Sequence, residues 1–318
     1  MFGRARAVIP SLILIGSLIP VVLARPQRSA IELESGLVTI DVTVMNEEGE
    51  YVTDLDREDF TILHDGFPRP IAFFETQRDR TLTRPLAVVF ALDVSGSLGN
   101  QIADQQYAAR QFVHLVQENS LFAVIGFNDR VHIYQRFTSN PRKLQQAFAR
   151  ARNIGGRTRL YDAINRAITM LVREAPRRFR GRRLRRVVVV ITDGFDYTSV
   201  VDREELIRRA NNAGVTIYSV TLPSYVLSVS GKRRVPTLLD ASGIVARTGG
   251  IDFPVEERNF ARIFRAIAEE IRASYVLSYY PPPADLSDGQ THRIKIIINR
   301  PGVKVRQSRY EYTAPQRR

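Results

Sequence analysis

From Pro85 to about Ala273 the chain alternates short, continuous apolar runs with segments whose apolar residues recur at helical spacing. The runs are "LAVVFALD" (86 to 93), "LFAVIGF" (121 to 127), "RVVVVITD" (186 to 193) and "VTIYSVTL" (215 to 222). Apolar side chains on consecutive residues mean that both faces of each strand are covered, as in a parallel sheet under helices. Between and after the runs, Leu144, Ala147, Phe148 and Ala151 fall at i, i+3, i+4, i+7, as do Ile164, Ala167, Ile168 and Leu171, and Phe260, Ile263, Phe264 and Ile267. These spacings predict three amphipathic helices. The segment "RVHIYQRF" (130 to 137) follows the second run after only "ND", too short a link for a crossover, so it is expected as an antiparallel edge strand. The pattern predicts an α/β fold with a doubly wound, mostly parallel sheet.

On both sides the period changes. "GLVTIDVTV" alternates apolar and polar residues, Asn46 to Gly49 reads as a turn, and Asp65-Gly66 in "DFTILHDGFPRPI" is a strong hairpin signal. After the α/β segment, "SYVLSYYPPP" and "HRIKIIINRPGVKVRQSRYEY" read as two or three further strands. Neither flank carries a core by itself. The economical arrangement is one small β-sandwich made by both flanks, with the α/β domain inserted between them. The expected layout is a leader over 1–24, an N-terminal β segment over 25–84, the α/β domain over 85–273 and a C-terminal β segment over 274–318.

Composition narrows the chemistry. The 318 residues include no cysteine and no tryptophan, which excludes disulfides, thiolate metal sites and a cysteine nucleophile. Arg4 and Arg6 precede an apolar run from Ala7 to Leu23, with the small residues Val22 and Ala24 at the end. This reads as a secretory signal peptide, with an uncleaved membrane anchor as the alternative. Export to the periplasm or the extracellular space is the expectation. The formal net charge of +13 falls to +11 once Arg4 and Arg6 leave with the leader. "REAPRRFRGRRLRR", residues 173 to 186, holds eight arginines against Glu174. It is expected as a solvated loop and helix end lying before the fourth strand, able to make peripheral contact with an anionic envelope surface through 177–186. Nucleic acid is not an expected partner, since no aromatic stacking platform accompanies the arginines.

The candidate site follows from the strand ends. "VVFALDVSGSLGN" runs five apolar residues into Asp93 and then places Ser95 and Ser97 on alternate positions; "VVVVITDG" ends in Asp193; "IGGRTRLYDAI" puts Thr158 just ahead of a helix. In open parallel sheets ligands sit at the carboxyl ends of the strands. Two carboxylates and three hydroxyls collected there form a hard, all-oxygen set suited to Mg²⁺ or Mn²⁺ and poorly suited to zinc. Asp162, one turn into the helix, is expected to act as an N-terminal helix charge.

Asp93, Ser95 and Ser97 in "DVSGS", Thr158 in the glycine-rich loop and Asp193 in "TDG" resemble the metal-ion-dependent adhesion site of von Willebrand factor type A domains, a Rossmann-like α/β family. The resemblance covers about residues 85 to 273. The flanks resemble those of bacterial von Willebrand factor-related proteins common among acidobacteria. It implies that the two serines ligate a divalent ion directly, that the threonine and the aspartates do so directly or through water, and that a protein partner brings an Asp or Glu as the remaining ligand. Arg157 and Arg159 depart from the small residues many relatives show around the threonine, and are expected at the ligand-binding rim.

Two rival classes remain. A scaffold or assembly subunit would have the same metal site satisfied by a like subunit or by the chain's own acidic N-terminal flank, where residues 31 to 60 hold ten acidic side chains against Arg57. A Mg²⁺-dependent hydrolase is the weakest candidate and an enzyme is not expected: His64, His114, His132 and His292 are not placed beside the oxygen set by sequence, and the chain has no Gly-x-Ser-x-Gly, His-Glu-x-x-His or Walker A motif. "DLDRED", Asp54 to Asp59, lacks the glycine and closing glutamate of a calcium loop and reads as a solvated turn.

Overall fold

The computed structural model describes residues 36–76, 84–95, 120–152, 155–222, 225–228, 231–234, 236–255 and 260–316, with 103, 106, 107, 110 and 113 on a helix. The leader, Ser97 and His114 lie outside the described residues. The strands of the N-terminal flank are β1 (Val38–Met45), β2 (Phe60–His64), β3 (Phe67–Arg69) and β4 (Phe73–Glu75). The central segment contributes β5 (Leu86–Asp93), β6 (Leu121–Phe127), β7 (Val131–Thr138), the two-residue strands β8 (Arg178–Phe179) and β9 (Arg182–Arg183), β10 (Arg185–Thr192), β11 (Val215–Thr221), the hairpin β12 (Tyr225–Ser228) and β13 (Gly231–Arg234), and β14 (Asp252–Pro254). The C-terminal flank adds β15 (Tyr275–Tyr279), β16 (Thr291–Ile298), β17 (Lys304–Gln307) and β18 (Glu311–Thr313). The helices are α1 (Pro141–Arg150), α2 (Leu160–Arg173), α3 (Arg203–Ala213), the short α4 (Leu238–Ser242) and α5 (Ile244–Arg247), and α6 (Phe260–Ala273).

Six strands form the central sheet in the order β14-β11-β10-β5-β6-β7. All neighbours are parallel except β6 and β7, so the edge strand runs as the short link predicts. The apolar runs divide by parity. Leu86, Val88, Phe90 and Leu92 of β5 pack with Phe122, Phe148 and Phe264 beneath α1 and α6. Ala87, Val89 and Ala91 pack on the other face with Leu160, Ile164, Ile168 and Ile207 of α2 and α3. The three helices expected from spacing are α1, α2 and α6. Helix α3 was not anticipated. Its stretch "REELIRRANNA" is strongly polar, and it is defined by its ends: the Asp202 side chain accepts from Glu204 N and Glu205 N, and Gly214 closes the helix at φ 60°.

Both flanks build two four-stranded antiparallel sheets, β17-β1-β15-β4 and β18-β16-β2-β3, each mixing strands from the two ends of the chain. Val38 pairs with Tyr279 and Val42 with Tyr275, while His64 pairs with Ile294. Their inner faces meet in one apolar core that includes Ile40, Val42, Leu55, Phe60, Ile62, Leu277 and Ile296. This is the expected sandwich. The Asp65-Gly66 hairpin is also present, with φ of 52° and 85° at the two turn residues.

The polar positions of β1 are buried as well as its apolar ones: Asp41 and Thr43 are 7% and 4% exposed, because the sandwich turns this face toward the α/β unit. Asp41 binds the guanidinium of Arg84, and its second oxygen lies 3.8 Å from Arg185 Nε. Arg185, itself buried, donates to Ser274 Oγ (2.8 Å), Tyr218 Oη (3.2 Å) and Ile271 O (3.3 Å). Buried Glu270 faces Arg306 of β17 at 3.7 Å, and Ser308 Oγ accepts from Asp41 N at 2.8 Å. Charges taken out of water persist only when paired in this way.

The arginine-rich segment is therefore only partly the solvated loop expected from sequence. It does precede β10, at the end of that strand remote from Asp193. Arg177, Arg178 and Arg180 are exposed, but Arg182 pairs with Glu75 at 2.8 Å and Arg183 donates to Thr39 Oγ1 at 3.1 Å. Together with Arg185 they join the α/β unit to the sandwich. "DLDRED" is a solvated turn as expected: Asp54 pairs with Arg300 at 2.8 Å, and Asp56 and Asp59 form a capping box over one 3₁₀ turn.

Arg185→Ala should lower the unfolding free energy by about 3 kcal/mol, because it leaves the buried acceptors Ser274 Oγ, Tyr218 Oη and Ile271 O without their donor and leaves Asp41 to Arg84 and Glu270 to Arg306 alone. Arg178→Ala on the exposed side should change it by less than about 0.5 kcal/mol. Urea denaturation of the two variants compares them directly; equal, small effects would mean that the junction does not depend on Arg185.

Candidate functional site

Asp93 is the last residue of β5, the strand hydrogen-bonded between β10 and β6. Its side chain has no exposed surface. One carboxylate oxygen accepts from Ser95 N at 3.0 Å and the other from Thr192 Oγ1, at the end of β10, at 2.8 Å. Burial pushes the Asp93 carboxyl up to about 6; hydrogen bonds from Ser95 and Thr192 pull it down, and the neighbouring Asp193 charge pushes it up again. Asp193 follows β10 directly, is half-buried, and holds its own turn by accepting from Phe195 N at 3.2 Å. Ser95 is 2% exposed and Thr158 likewise 2%.

The Thr158 loop is fixed to the ends of both strands that flank β5. On the β6 side, Arg159 N donates to Asn128 O at 3.1 Å, Asn128 Nδ2 to Gly155 O at 2.7 Å, and Arg157 N to Asp129 Oδ1 at 2.8 Å. Gly156, at φ 94°, is required for that approach: a Cβ there would stand 2.6 Å from Asp129 Oδ2. On the β10 side, Tyr197 N donates to Thr158 O at 3.0 Å. Gly194 (φ 81°) fits against Thr237, whose side chain would meet an added Cβ at 2.5 Å. The loops that carry Asp93, Thr158 and Asp193 therefore converge at the carboxyl end of the sheet.

Sequence reasoning understated Asp162 and missed the segment after Asp193. Asp162 is in the first turn of α2 as expected, but its Oδ1 also accepts from Val200 N and Val201 N, both at 3.1 Å, so it ties α2 to the 196–201 loop. Asp196 accepts from Tyr161 N at 3.2 Å and from Ser199 N at 3.1 Å in the same loop. The loop presents Tyr197 at 65% and Val200 at 83% exposure beside the oxygen set, with the Phe195 and Tyr197 rings stacked at 6.2 Å. The signal was "FDYTSV", apolar residues placed among turn formers with no helical or strand period. Arg157 is exposed at the rim, and Arg159 lies 3.8 Å from Asp162 Oδ2. Of the histidines, His64 and His292 belong to the sandwich, and His132 on β7 reaches the rim only indirectly, through Asn128 Oδ1 at 3.2 Å.

Residues 88–195 match the family described as the von Willebrand factor type A domain. The chain is also 28% identical over 161 residues to integrin alpha-M of Mus musculus, a match that covers 48% of this chain and 13% of that much longer protein. Among solved structures, an aerotolerance-related membrane protein from Bacteroides fragilis is similar at a TM-score of 0.47 and 20% identity, over 58% of this chain and 98% of that one. A von Willebrand factor type A protein from Catenulispora acidiphila is similar at 0.49 and 11%, over 87% and 74%. Proximal thread matrix protein 1 of the mussel byssus, in a form with a zinc-occupied MIDAS motif, is similar at 0.49 and 16%, over 62% and 47%. Residues 88–195 are thus a von Willebrand factor type A domain within the chain.

The raised Asp93 carboxyl has a consequence for stability. The folded protein holds this proton up to about pH 6, whereas the unfolded chain releases it near the ordinary value for aspartate. The protonated form is thus favoured by folding, and metal-free stability falls as pH rises through the window from about 4 to about 6, by about 3 kcal/mol from this group. The difference between wild type and Asp93→Asn in urea midpoints at pH 4, 5, 6 and 7 isolates that term. A difference that stays constant with pH would contradict it.

Proposed function

We propose that this is an exported, non-enzymatic protein that binds a protein partner through a divalent ion, Mg²⁺ or Mn²⁺, held by Asp93, Ser95, Ser97, Thr158 and Asp193. The observation that carries this reading is the buried Asp93 next to Asp193: among the described residues, the groups bonded to Asp93 are hydroxyls and a backbone amide, and no cation offsets the pair. The donors are hard oxygens, which suits a divalent ion of that class. Such an ion, when bound, supplies an electrophilic position open to a partner's Asp or Glu carboxylate. Asp93 and Asp193 provide the counter-charge, Ser95 and Thr158 complete the floor, and the strapped glycine loop fixes the height of the threonine. Arg157 attracts an acidic partner toward the rim, and Tyr197 and Val200 give it an apolar surface to cover.

Within the acidic N-terminal flank, Asp41 is poorly placed to serve as an internal occupant. Asp41 meets Arg84 just before β5 begins, and Asp93 ends that strand nine residues after Arg84, a separation of about 30 Å. Among the described residues no helix is long and apolar enough to cross a membrane, and export rests on the reading of residues 1–24 as a signal peptide.

Titration calorimetry with Mg²⁺ and Mn²⁺ on wild type and Asp193→Ala tests the proposal. Metal-dependent heat is expected in the wild type and none in the variant, while Thr158→Ala should weaken partner capture more than resting metal binding. Binding should also weaken as pH falls through about 6, where Asp93 takes up its proton. No heat in the wild type, or the same heat in both proteins, would remove the metal from the mechanism.

A further inference from the structure

The two buried histidines of the sandwich meet in an arrangement that the function proposed above leaves unused. His64 ends β2, Asp65 begins the hairpin turn, Asp285 lies on the 3₁₀ turn Pro283–Leu286 and His292 lies on β16. One ligand atom from each of the four lies within 4.8 Å of all the others. His64 Nε2 is 3.0 Å from Asp285 Oδ2 and 3.8 Å from Asp65 Oδ2, and His292 Nδ1 is 2.7 Å from Asp65 Oδ2. A tetrahedral Zn²⁺ with bonds of about 2.0–2.2 Å separates neighbouring ligand atoms by about 3.3 Å, so small side-chain shifts bring this set to bonding distance.

The surroundings are built as an outer shell. Each histidine offers the cluster one nitrogen and has the other engaged: His64 Nδ1 with Tyr279 Oη at 2.8 Å, and His292 Nε2 with Asp288 Oδ2 at 3.2 Å. That division of the ring nitrogens is the one by which metal-bound histidines are oriented. Asp65 is aimed by its turn: at φ 52° it accepts from Arg293 N at 2.7 Å through Oδ1, which leaves Oδ2 to the histidines. The rings are held parallel, 4.8 Å between centroids and 22° between planes. The histidine side chains are 1% and 8% exposed, whereas Asp65 and Asp285 are 42% and 24% exposed, so an ion can enter from the carboxylate side.

We propose that His64, Asp65, Asp285 and His292 form a second, structural metal site for a Zn²⁺-like ion, chemically distinct from the all-oxygen rim. Two imidazoles and two carboxylates favour Zn²⁺ or Co²⁺ over Mg²⁺, and two carboxylates neutralise the ion's charge. The ion would join the N-terminal hairpin to two segments of the C-terminal flank.

Co²⁺ is the probe, added to the full-length chain carrying Asp193→Ala so that the rim does not compete. One equivalent with the intense visible absorption of tetrahedral Co²⁺ is expected, and Zn²⁺ should displace it and raise the melting temperature. Asp285→Asn, on a partly exposed turn, and His292→Gln should each weaken binding at least tenfold, and Asp288→Asn about tenfold through the outer shell. Absence of the visible band, or a band unchanged in both ligand variants, overturns the site. So does an equal loss of melting temperature in the variants with and without Zn²⁺, which would leave the four groups as a hydrogen-bonded network alone. Loss of the rim function in the calorimetry above would not affect these outcomes.

Discussion

A carboxylate with no access to water, at the tip of a central strand, constrains everything near it. Asp93 cannot be solvated, so its oxygens must be met by donors from its own loop and from the adjacent strand. That requirement fixes the turn through Ser95, places Thr192 Oγ1, and keeps Asp193 close enough to be felt electrostatically. The loops on either side are then locked by backbone hydrogen bonds, from Asn128 and Asp129 after β6 and from Tyr197 after β10. The rim is a preorganised surface in which charge has been concentrated against the preference of the fold.

The opposite end of the sheet follows a different logic. There the polar face of β1 is closed against the α/β unit by Asp41, Arg84, Arg185, Glu270 and Arg306, and apolar packing is confined to the three cores. Such a junction is sensitive to geometry, since displacing one charge strands its partner. It gives the inserted unit one orientation relative to the sandwich without merging the cores.

Much of this was legible in the sequence because it depends on periodicity. Unbroken apolar runs in β5, β6, β10 and β11 announce a sheet covered on both faces, and "DG" at 65–66 announces its hairpin. Asp93, Ser95, Thr158 and Asp193 could be placed because strand ends and helix starts are local features. What could not be read depends on contacts distant along the chain. Helix α3 has only Leu206, Ile207 and Ala210 as buried apolar residues in a largely polar stretch, and its limits are set by its caps. The arginines at 182, 183 and 185 look like a solvated run until β1 is laid beside them. The meeting of His64 with His292 depends on register, since 228 positions of sequence separate two residues that the sandwich stacks.

The pairing of β1 with β15 also bears on mechanics. These strands are antiparallel, with Val38 opposite Tyr279 and Val42 opposite Tyr275. The chain enters β15 at Tyr275 directly from α6, while β1 begins at Val38. A load carried down α6 into Tyr275, against one applied at Val38, pulls the two strands from opposite ends of their ladder. The hydrogen bonds between them are then strained together in shear, with no single bond exposed to be peeled first.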